Sequence, residues 1–369
     1  PAAGAELARS NRIKKRHRGG AGVGTDTSAN REVVVGHLRA GPGEKLRGFL
    51  SVTGPGYRVD MPVTVINGVA PGPTVGITAG VHGAEYPGIE AAIRLARELD
   101  PRQVRGAVVV VSVVNMPAFH GRSVYINPLD HRNLNRTYPG QPSGSISEVM
   151  VHHVYQQVIG SCDYFIDLHG GDMVEALVPF VIYFRSGRPE QDLMARRMAN
   201  AFGIPRVVEG TTPGSGYAAA AAAGKPAILA EAGGQGLLDE ESVQLHLVGL
   251  RNVLRLLGVL DGGSAPADVP LRPNLKMVWH RSEHLGIFYP AVRIGERVRR
   301  GQILGEIRDH FGDHLTHVVS QGEGEILFLI TCPPVSPGDP LLAVGEAAVA
   351  EAAMDQAAPG QVEATALKE

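Results

Sequence analysis

Residues 74–85 read TVGITAGVHGAE and lead directly into a helical stretch at 86–99. The quoted stretch begins as a β-branched run, and a second such run, PVTVIN at 62–67, precedes it across a Pro/Gly turn. Within 86–99 the apolar side chains recur at helical spacing, so one face of this helix is apolar. A strand that passes through a glycine-flanked turn into an amphipathic helix is typical of an α/β fold.

The same alternation continues along the chain. Further β-branched or apolar runs lie at 106–114, 163–168, 178–184 and 226–230, and helical stretches lie near 146–159, 189–202, 216–223 and 239–257. Continuous apolar runs are expected for strands that are covered on both faces. We therefore predict an α/β fold built on a doubly wound sheet.

The segment 115–145 interrupts this alternation with a long stretch rich in Asn, Pro, Arg and Gly. A long irregular segment in a compact domain is either functional or wrongly assigned. Its residues Arg132, Asn135 and Arg136 favour a functional role, because arginine binds carboxylates through paired hydrogen bonds and asparagine adds a directional amide. An arginine beside a reacting carbonyl also stabilises the developing oxyanion. The alternative is a solvent-facing basic loop.

The composition is that of a water-soluble globular protein: 369 residues with a net charge of −2 and 44% hydrophobic residues. No run of 18 apolar residues occurs and the start of the chain lacks an apolar secretory core, so we expect no membrane span and no export. The only cysteines, Cys162 and Cys332, exclude a disulfide framework. These features predict a cytoplasmic location.

The first 20 residues carry six Lys or Arg against one Glu, whereas the remainder of the chain is acidic overall. A basic run of this kind could contact nucleic acid or anionic lipid. Because the acidic body offers no basic surface to extend that contact, we predict a disordered arm over 1–30, with neither nucleic acid nor a membrane as partner.

The composition changes again at DGGSAPADVPLRP, 261–273, which is typical of a linker. Short strand-like pieces divided by Gly and Pro follow it. We predict an α/β domain over 31–262, a small all-β sandwich or barrel-like domain over 270–345, and a flexible tail over 346–369.

Two histidines stand at predicted strand ends, His82 in GVHGAE (80–85) and His169 in DLHGG (167–171). The carboxyl ends of strands in an α/β sheet are where ligands bind. Glu85 is close enough in sequence to share a ligand with His82, and two imidazoles with one carboxylate suit a catalytic Zn²⁺. Asp167 lies on the same strand face as His169 and could fix its tautomer. Each histidine alone is more often a hydrogen-bonded core residue, but together they favour one zinc ion per chain.

A hydrolytic zinc site also needs a general base, and Glu231 in ILAEAGG (228–234) ends another apolar strand. The alternative for Glu231 is an ordinary acid at a strand end. Asp172 and Glu175 compete for the role of base, but they follow His169 so closely in sequence that they are poorly placed to reach across the ion.

Four motifs in this order and spacing resemble the succinylglutamate desuccinylase/aspartoacylase family, relatives of the zinc carboxypeptidases: GVHGAE at 80–85, NLNRTYPG at 133–140, DLHGG at 167–171 and AEAGG at 230–234. The resemblance covers roughly residues 45–345 and implies a mixed sheet of the zinc-carboxypeptidase type. It implies that His82, Glu85 and His169 bind zinc. It further implies that Glu231 is the base for the attacking water and that Asn135 and Arg136 hold the substrate's carboxylate.

The sequence departs from aspartoacylase at Pro128, seven residues before Asn135, where aspartoacylase has an arginine that polarises the scissile carbonyl. That role would fall to Arg132, which we favour, or to Arg122, or would be lost. The resemblance implies hydrolysis of the amide bond of a small N-acyl amino acid or a related compound. The motif PLDxxNLNR is similar to bacterial members that include deacetylases of N-acetylated diamino acids, so the acyl group and the amine stay open.

The C-terminal β segment resembles a lipoyl/biotinyl-type sandwich, but residues 277–367 contain no lysine to carry a cofactor. We therefore expect this domain to shape or cover the active-site cleft. Two rival functions remain, a zinc carboxypeptidase that acts on peptides and a non-catalytic zinc or binding module. The sequence is compatible with a homo-oligomer.

Overall fold

The computed structural model describes residues 30–54, 56–210, 212–263 and 270–348. The predicted arm at 1–30, apart from Asn30, and the predicted tail from 349 onward lie outside these residues. The helices are α1 Tyr86–Glu98, α2 Met116–Gly121, α3 Ile146–Val154, α4 Pro189–Phe202, α5 Gly216–Ala222 and α6 Glu240–Leu256. A π-helical turn, Tyr155–Ile159, continues α3, and short 3-10 turns lie at Pro101–Gln103 and Leu134–Arg136.

The strands are β1 Val33–Val35, β2 Leu38–Ala40, β3 Lys45–Gly54, β4 Tyr57–Asn67, β5 Ala70–Ala79, β6 Arg105–Val111, β7 Tyr164–His169, β8 Glu175–Leu177, β9 Phe180–Phe184, β10 Val207–Gly210, β11 Ala227–Glu231, β12 Asn274–Arg281, β13 Gly286–Pro290, β14 Arg297–Val298, β15 Ile303–Arg308, β16 His314–Val319, β17 Gly324–Ile330, β18 Pro334–Val335 and β19 Pro340–Ala347.

One large mixed sheet organises the molecule, in the order β14-β17-β19-β12-β10-β9-β11-β7-β5-β6-β4-β3. Its centre is parallel, with β5 between β6 and β7 and with β11 beside β7. Towards the flanks the direction alternates, because β4 is antiparallel to β6 and β9 is antiparallel to β11. The predicted doubly wound mixed sheet is confirmed.

Helices cover both faces of this sheet, as the apolar strand runs require. On one face α1, α4 and α6 bury residues such as Leu95, Phe202 and Leu250 against the central strands. On the other face α3 and α5 bury Met150 and Tyr217. Strands that are apolar on both sides therefore lie in the centre, where neither face meets water.

The strands β3 and β10 were not foreseen from the sequence. β3 alternates between buried and exposed positions because it lies at the sheet edge and only one face is covered. β10 has only four residues and is placed by its two parallel neighbours, β9 and β12. The irregular segment 115–145 contains one short helix, α2, and the 3-10 turn at 134–136.

The C-terminal strands form an antiparallel region that joins the main sheet. β12 pairs in parallel with β10 and antiparallel with β19, so the large sheet continues into this region. β16, β15, β13 and β18 form a second, four-stranded sheet. The two packed layers bury a core of their own, which includes Phe288, Leu304 and Leu342. β19 extends to Ala347, two residues past the predicted boundary. No described helix is long and apolar enough to cross a membrane.

Candidate metal centre

Three parallel strands end at the same edge of the sheet and carry the predicted site. β5 ends at Ala79 and β7 at His169, and the register pairs Ala79 with Leu168. β11 ends at Glu231, whose register partner is His169. The carboxyl ends of neighbouring parallel strands therefore bring together residues that are far apart in the chain.

A tight turn places His82 and Glu85 directly after β5. Gly80 has a φ of +64°, a conformation that glycine adopts without steric cost. Between the two ligands, Gly83 packs on the backbone at Phe119 so closely that a Cβ would lie 2.2 Å from its nitrogen. Glycines at these two positions let the turn fold back into the sheet edge.

His82, Glu85 and His169 converge in the interior. Nδ1 of His82 lies 2.7 Å from Oε1 of Glu85, and Nδ1 of His169 lies 2.9 Å from Oε2 of the same carboxylate. The two imidazole rings meet edge to face with centroids 5.1 Å apart. All three side chains are buried. The predicted ligands are thus in reach of a single ion.

The second nitrogen of each histidine faces a polar side chain. Nε2 of His82 lies 3.1 Å from Oδ1 of Asn133, and Nε2 of His169 lies 3.3 Å from Oδ2 of Asp167. An oxygen acceptor at Nε2 favours a proton there and leaves the Nδ1 lone pair free. Thr78 donates from its hydroxyl to Oδ1 of Asp167 at 2.7 Å, which fixes that carboxylate.

These residues fit a metal ion. Oε2 of Glu85 has no hydrogen-bond partner despite its short distance to His169, because the two groups are not aligned for a hydrogen bond. A buried carboxylate oxygen without a donor is costly unless a cation neutralises it. Two imidazole nitrogens and a carboxylate form the ligand set of a catalytic zinc site.

The pKa shifts show that Glu85 and the two histidines interact strongly with one another. Burial disfavours the charged form of Glu85, but the charges of His82 and His169 outweigh it and lower the pKa of Glu85 to about 2. Burial likewise opposes the imidazolium of His169, yet Glu85 and Asp167 raise the pKa of His169 well above its ordinary value. A cation bound between these groups would replace the two protons as the source of positive charge.

Glu231 lies on the strand beside His169, and one of its carboxylate oxygens has no hydrogen-bond partner. Its Oε2 is shielded from solvent and has no hydrogen-bond partner. Burial raises the pKa of Glu231 well above its ordinary value; the charge of His169 opposes this shift, and Glu85 reinforces it. A carboxyl group of raised pKa next to a metal site is suited to proton transfer.

Asn135 and Arg136 lie on the 3-10 turn that follows Asn133. Asn135 is buried and its Oδ1 lacks a partner. The Arg136 guanidinium donates to the backbone oxygen of Asn135 at 2.7 Å. Burial lowers the pKa of Arg136, and Arg281 reinforces this shift, whereas Tyr217 and Glu231 oppose it in part. The asparagine amide and the guanidinium are therefore available to an anionic ligand.

Arg132, the predicted oxyanion stabiliser, lies at the surface of the long loop. Its guanidinium is half-exposed and lies 3.7 Å from Glu148 at the start of α3. Arg122, the alternative, is exposed after α2. Arg136 is exposed as well, so exposure does not distinguish between these arginines, and the role of Arg132 stays a prediction. The charge of Glu231 acts on Arg136.

Asp172 and Glu175, the other candidate bases, have their oxygens occupied. Asp172 accepts from the backbone nitrogens of Tyr125 and Met173 at 2.9 and 2.6 Å. Glu175 accepts from the Tyr125 hydroxyl and from the Asp172 nitrogen, both at 2.8 Å. The sequence analysis did not single out Tyr125 or Asn133; only the position of Asn133 inside the NLNRTYPG motif pointed to it.

Among the described residues a second group could also hold a metal, Glu306, His314 and His317 on β15 and β16. Both histidines are exposed, and Arg308 is hydrogen-bonded to the Glu306 carboxylate. A neighbouring guanidinium opposes a second cation by charge repulsion. The buried group at the sheet edge is therefore the stronger candidate.

The succinylglutamate desuccinylase/aspartoacylase catalytic domain profile matches residues 71–257, the part of the chain that contains this centre. The chain belongs to the succinylglutamate desuccinylase/aspartoacylase family. A curated relative, the N-alpha-acetyl-L-2,4-diaminobutyric acid deacetylase of Halomonas elongata, is 32% identical over 261 residues, which is 68% of this chain and 75% of the relative.

Two solved structures from the family have the same fold. The succinylglutamate desuccinylase/aspartoacylase of Rhodobacter sphaeroides superposes with a TM-score of 0.73 at 27% identity, over 82% of this chain and 96% of that one. The ectoine utilization protein EutE (DoeB) of Ruegeria pomeroyi gives a TM-score of 0.73 at 27% identity, over 82% and 97%. Membership makes the chain an amidohydrolase of the deacylase class, as the motifs predicted.

Proposed function

We propose that this family member is a zinc-dependent deacylase that hydrolyses the amide bond of a small N-acyl amino acid. The observation that carries the proposal is the buried convergence of His82, Glu85 and His169, with the free Oε2 of Glu231 beside it. Two imidazoles and one carboxylate leave a coordination position open for water or substrate, which a structural zinc site does not.

The three ligands would hold one zinc ion, which supplies a water of lowered pKa and a positive charge on the scissile carbonyl. Glu231 takes a proton from the attacking water through Oε2 and delivers it to the leaving nitrogen as the C–N bond breaks. The remaining hydroxyl proton also passes to this nitrogen, so that the amide and water become a carboxylate and an ammonium ion. The positive charge beside it favours the ionised form of Glu231 against the effect of burial.

Asn135 and Arg136 bind the substrate's carboxylate in this proposal. The guanidinium presents paired donors that match a carboxylate, and the amide of Asn135 adds a directional contact. Both residues follow Asn133, which contacts His82, in the same turn. The anchor for the substrate and the support for a metal ligand are therefore parts of one rigid element.

N-acetylated diamino acids are the first substrates to test. The Halomonas elongata relative is named for such a substrate. In this chain Asp172 acts electrostatically on His82 and Glu85, and Glu175 does so too. The carboxylates around the centre therefore favour a substrate whose side chain carries a positive charge.

The test is amine release from a panel of N-acyl amino acids by protein loaded with one equivalent of zinc. The panel contains N-alpha-acetyl-2,4-diaminobutyrate, N-succinylglutamate, N-acetylaspartate and a dipeptide with a free carboxyl terminus. We expect turnover of an acyl amino acid, and a loss of about 10²- to 10⁴-fold in kcat for Glu231→Gln at unchanged zinc content. Glu190→Gln, at an exposed position, serves as the control.

Each rival function has its own outcome in this panel. Cleavage of the dipeptide alone would establish a carboxypeptidase. No amine release from any compound, with zinc bound stoichiometrically, would establish a binding module and overturn the proposal. Near-normal turnover in Glu231→Gln would remove that residue from the role of base.

We also propose that 31–262 is the catalytic domain, that 270–345 is a second, β domain, and that the protein acts in the cytoplasm. The free thiols of Cys162 and Cys332 support the location, because reducing compartments keep thiols unpaired. The separate apolar core of the C-terminal strands supports the division.

A further inference from the structure

We propose that Glu175 and Asp172 are positioning residues that clamp Tyr125, and with it the substrate-binding segment 122–136, against the metal centre, and that the C-terminal strand β17 holds this clamp in place. The effect on catalysis rests on the proposed function, whereas the effect on the segment does not.

The clamp consists of three hydrogen bonds, two donated by Tyr125 and one that joins the two acids. The Tyr125 backbone nitrogen donates to Oδ2 of Asp172 at 2.9 Å, and its hydroxyl donates to Oε1 of Glu175 at 2.8 Å. Oε2 of Glu175 accepts from the Asp172 nitrogen at 2.8 Å, so the two acids also fix each other. Each oxygen of Glu175 thus accepts one hydrogen bond within the clamp.

The clamped residue lies next to a metal ligand. The Tyr125 ring meets the His82 ring edge to face, with centroids 6.3 Å apart. The ring of His169 also packs on His82, so His82 is held between two ring contacts and its carboxylate and amide partners. A displaced Tyr125 would leave one side of His82 unsupported.

The segment needs such support because its backbone is strained. Arg122, Tyr125 and His131 have φ values of 49°, 58° and 56°, in the left-handed region that non-glycine residues avoid. Backbone of this kind persists only where surrounding contacts hold it, and it concentrates at functional sites.

A second anchor holds the middle of the segment to α3. Both the backbone nitrogen and the hydroxyl of Ser147 donate to the carboxylate of Asp130, at 2.9 and 2.7 Å. Further along the segment, Asn133 contacts His82, and the Arg136 guanidinium donates to the Asn135 backbone oxygen. The Tyr125 clamp is thus the anchor on the side of the metal centre.

The C-terminal region reaches the clamp through β8. Glu175 is the first residue of β8 and pairs with Ile330 of β17, and Ala176 pairs with Leu329. The Thr331 nitrogen donates to the Val174 oxygen at 2.8 Å, one residue before the strand. Among the described strands β8 pairs with β17 alone. The C-terminal β region therefore helps to fix the backbone of Glu175, together with the Gln235 nitrogen, which donates to the Glu175 oxygen at 2.9 Å.

Tyr125→Phe tests the clamp because it deletes the hydroxyl and keeps the ring against His82. We expect KM for the acyl amino acid to rise roughly tenfold, with a smaller change in kcat and with zinc still bound at one per chain. Cleavage by trypsin after Arg122 and Arg132 should become severalfold faster, since a released segment opens locally more often. Tyr289→Phe, on an exposed ring of the C-terminal region, is the matched control.

Two further variants separate the clamp from a general loss of stability. Glu175→Gln keeps one acceptor and should lie between wild type and Glu175→Ala in KM and in cleavage rate. Thr331→Pro removes the donor to Val174 and should reproduce the faster cleavage within 122–136. Unchanged cleavage and unchanged KM in Tyr125→Phe would overturn the proposal. If the wild-type protein hydrolyses nothing in the panel, the cleavage assay still decides on the clamp.

Discussion

Glu231 lies directly opposite His169 across the parallel pair β7–β11, and each is the last residue of its strand. This register places the free carboxyl oxygen next to the ligand histidine without any loop between them. Strand pairing therefore sets the distance from the proposed base to the candidate metal centre. Glu85 comes from the turn after β5, the other neighbour of β7.

Removal of a histidine ligand should abolish metal binding. His169→Ala or His82→Ala leaves only two protein ligands around the centre, so we expect the zinc content to fall from one per chain to near zero after dialysis. Elemental analysis of the purified protein measures this. His317→Ala, in the exposed group on β16, should keep the full content; full retention in His169→Ala instead would place the ion elsewhere.

Asp167→Asn should weaken zinc binding without abolishing it. The carboxylate faces Nε2 of His169 and is held by Thr78, and loss of such an outer partner typically costs about 10- to 100-fold in metal affinity. Competition with a chromophoric chelator gives the dissociation constant. Asp60→Asn, on β4 and paired with Arg58 away from the centre, is the control, and equal affinities for both variants would refute a role for Asp167.

Arg136→Lys should raise KM for substrates that carry a carboxylate. Lysine keeps the charge but lacks the paired donors, so we expect a KM increase of roughly tenfold and a much smaller change in kcat. The matched control is Arg132→Lys, whose side chain pairs with Glu148 at the surface. If KM for the carboxamide analogue of the substrate rises by the same factor, Arg136 does not bind the carboxylate.

His246 should make the protein sensitive to acid. Its ring is buried beneath the site, 3.4 Å from the Ala232 oxygen, and burial lowers the pKa of His246 to about 4 from 6.5. The unfolded chain takes up this proton at a higher pH than the folded chain. His246 therefore makes its full contribution to the free energy of unfolding above pH 6.5, and this contribution is lost as the pH drops towards 4. The shift corresponds to about 3 kcal/mol in the free energy of unfolding.

Urea unfolding of the metal-free protein between pH 4 and 7 measures this dependence. His246→Leu should flatten the curve by about that amount, since leucine cannot take up a proton. His314→Leu, at an exposed histidine, should leave the slope as in wild type. A wild-type slope in His246→Leu would assign the acid sensitivity to other groups.

The sheet and the convergence of the three candidate ligands were accessible from the sequence because local patterns encode them. Apolar runs of strand length and helical spacing identified the central strands and α1, α3, α4, α5 and α6. His82, Glu85 and His169 stood at glycine-flanked strand ends, and parallel strands bring such ends together. β3 lies at the sheet edge and β10 has only four residues, so neither has an apolar run that predicts a strand from the sequence.

The placement of side chains on the long loop was not accessible in this way. Arg132 and Arg136 are one helical turn apart in sequence, yet one pairs with Glu148 and the other lies in the electrostatic range of Glu231. Left-handed residues at 122, 125 and 131 turn the backbone that leads to these arginines, and contacts from β8 and α3 hold that path.

The sequence by itself determined the α/β class, the family and the three residues that form the candidate metal centre, because strand ends, glycine turns and ligand types are local properties. Only the tertiary structure decided that Arg132 lies beside Glu148, that Glu231 is in register with His169, and that β8 pairs with β17. These relationships depend on strand register and on hydrogen bonds between residues distant in the chain, and no local pattern specifies them.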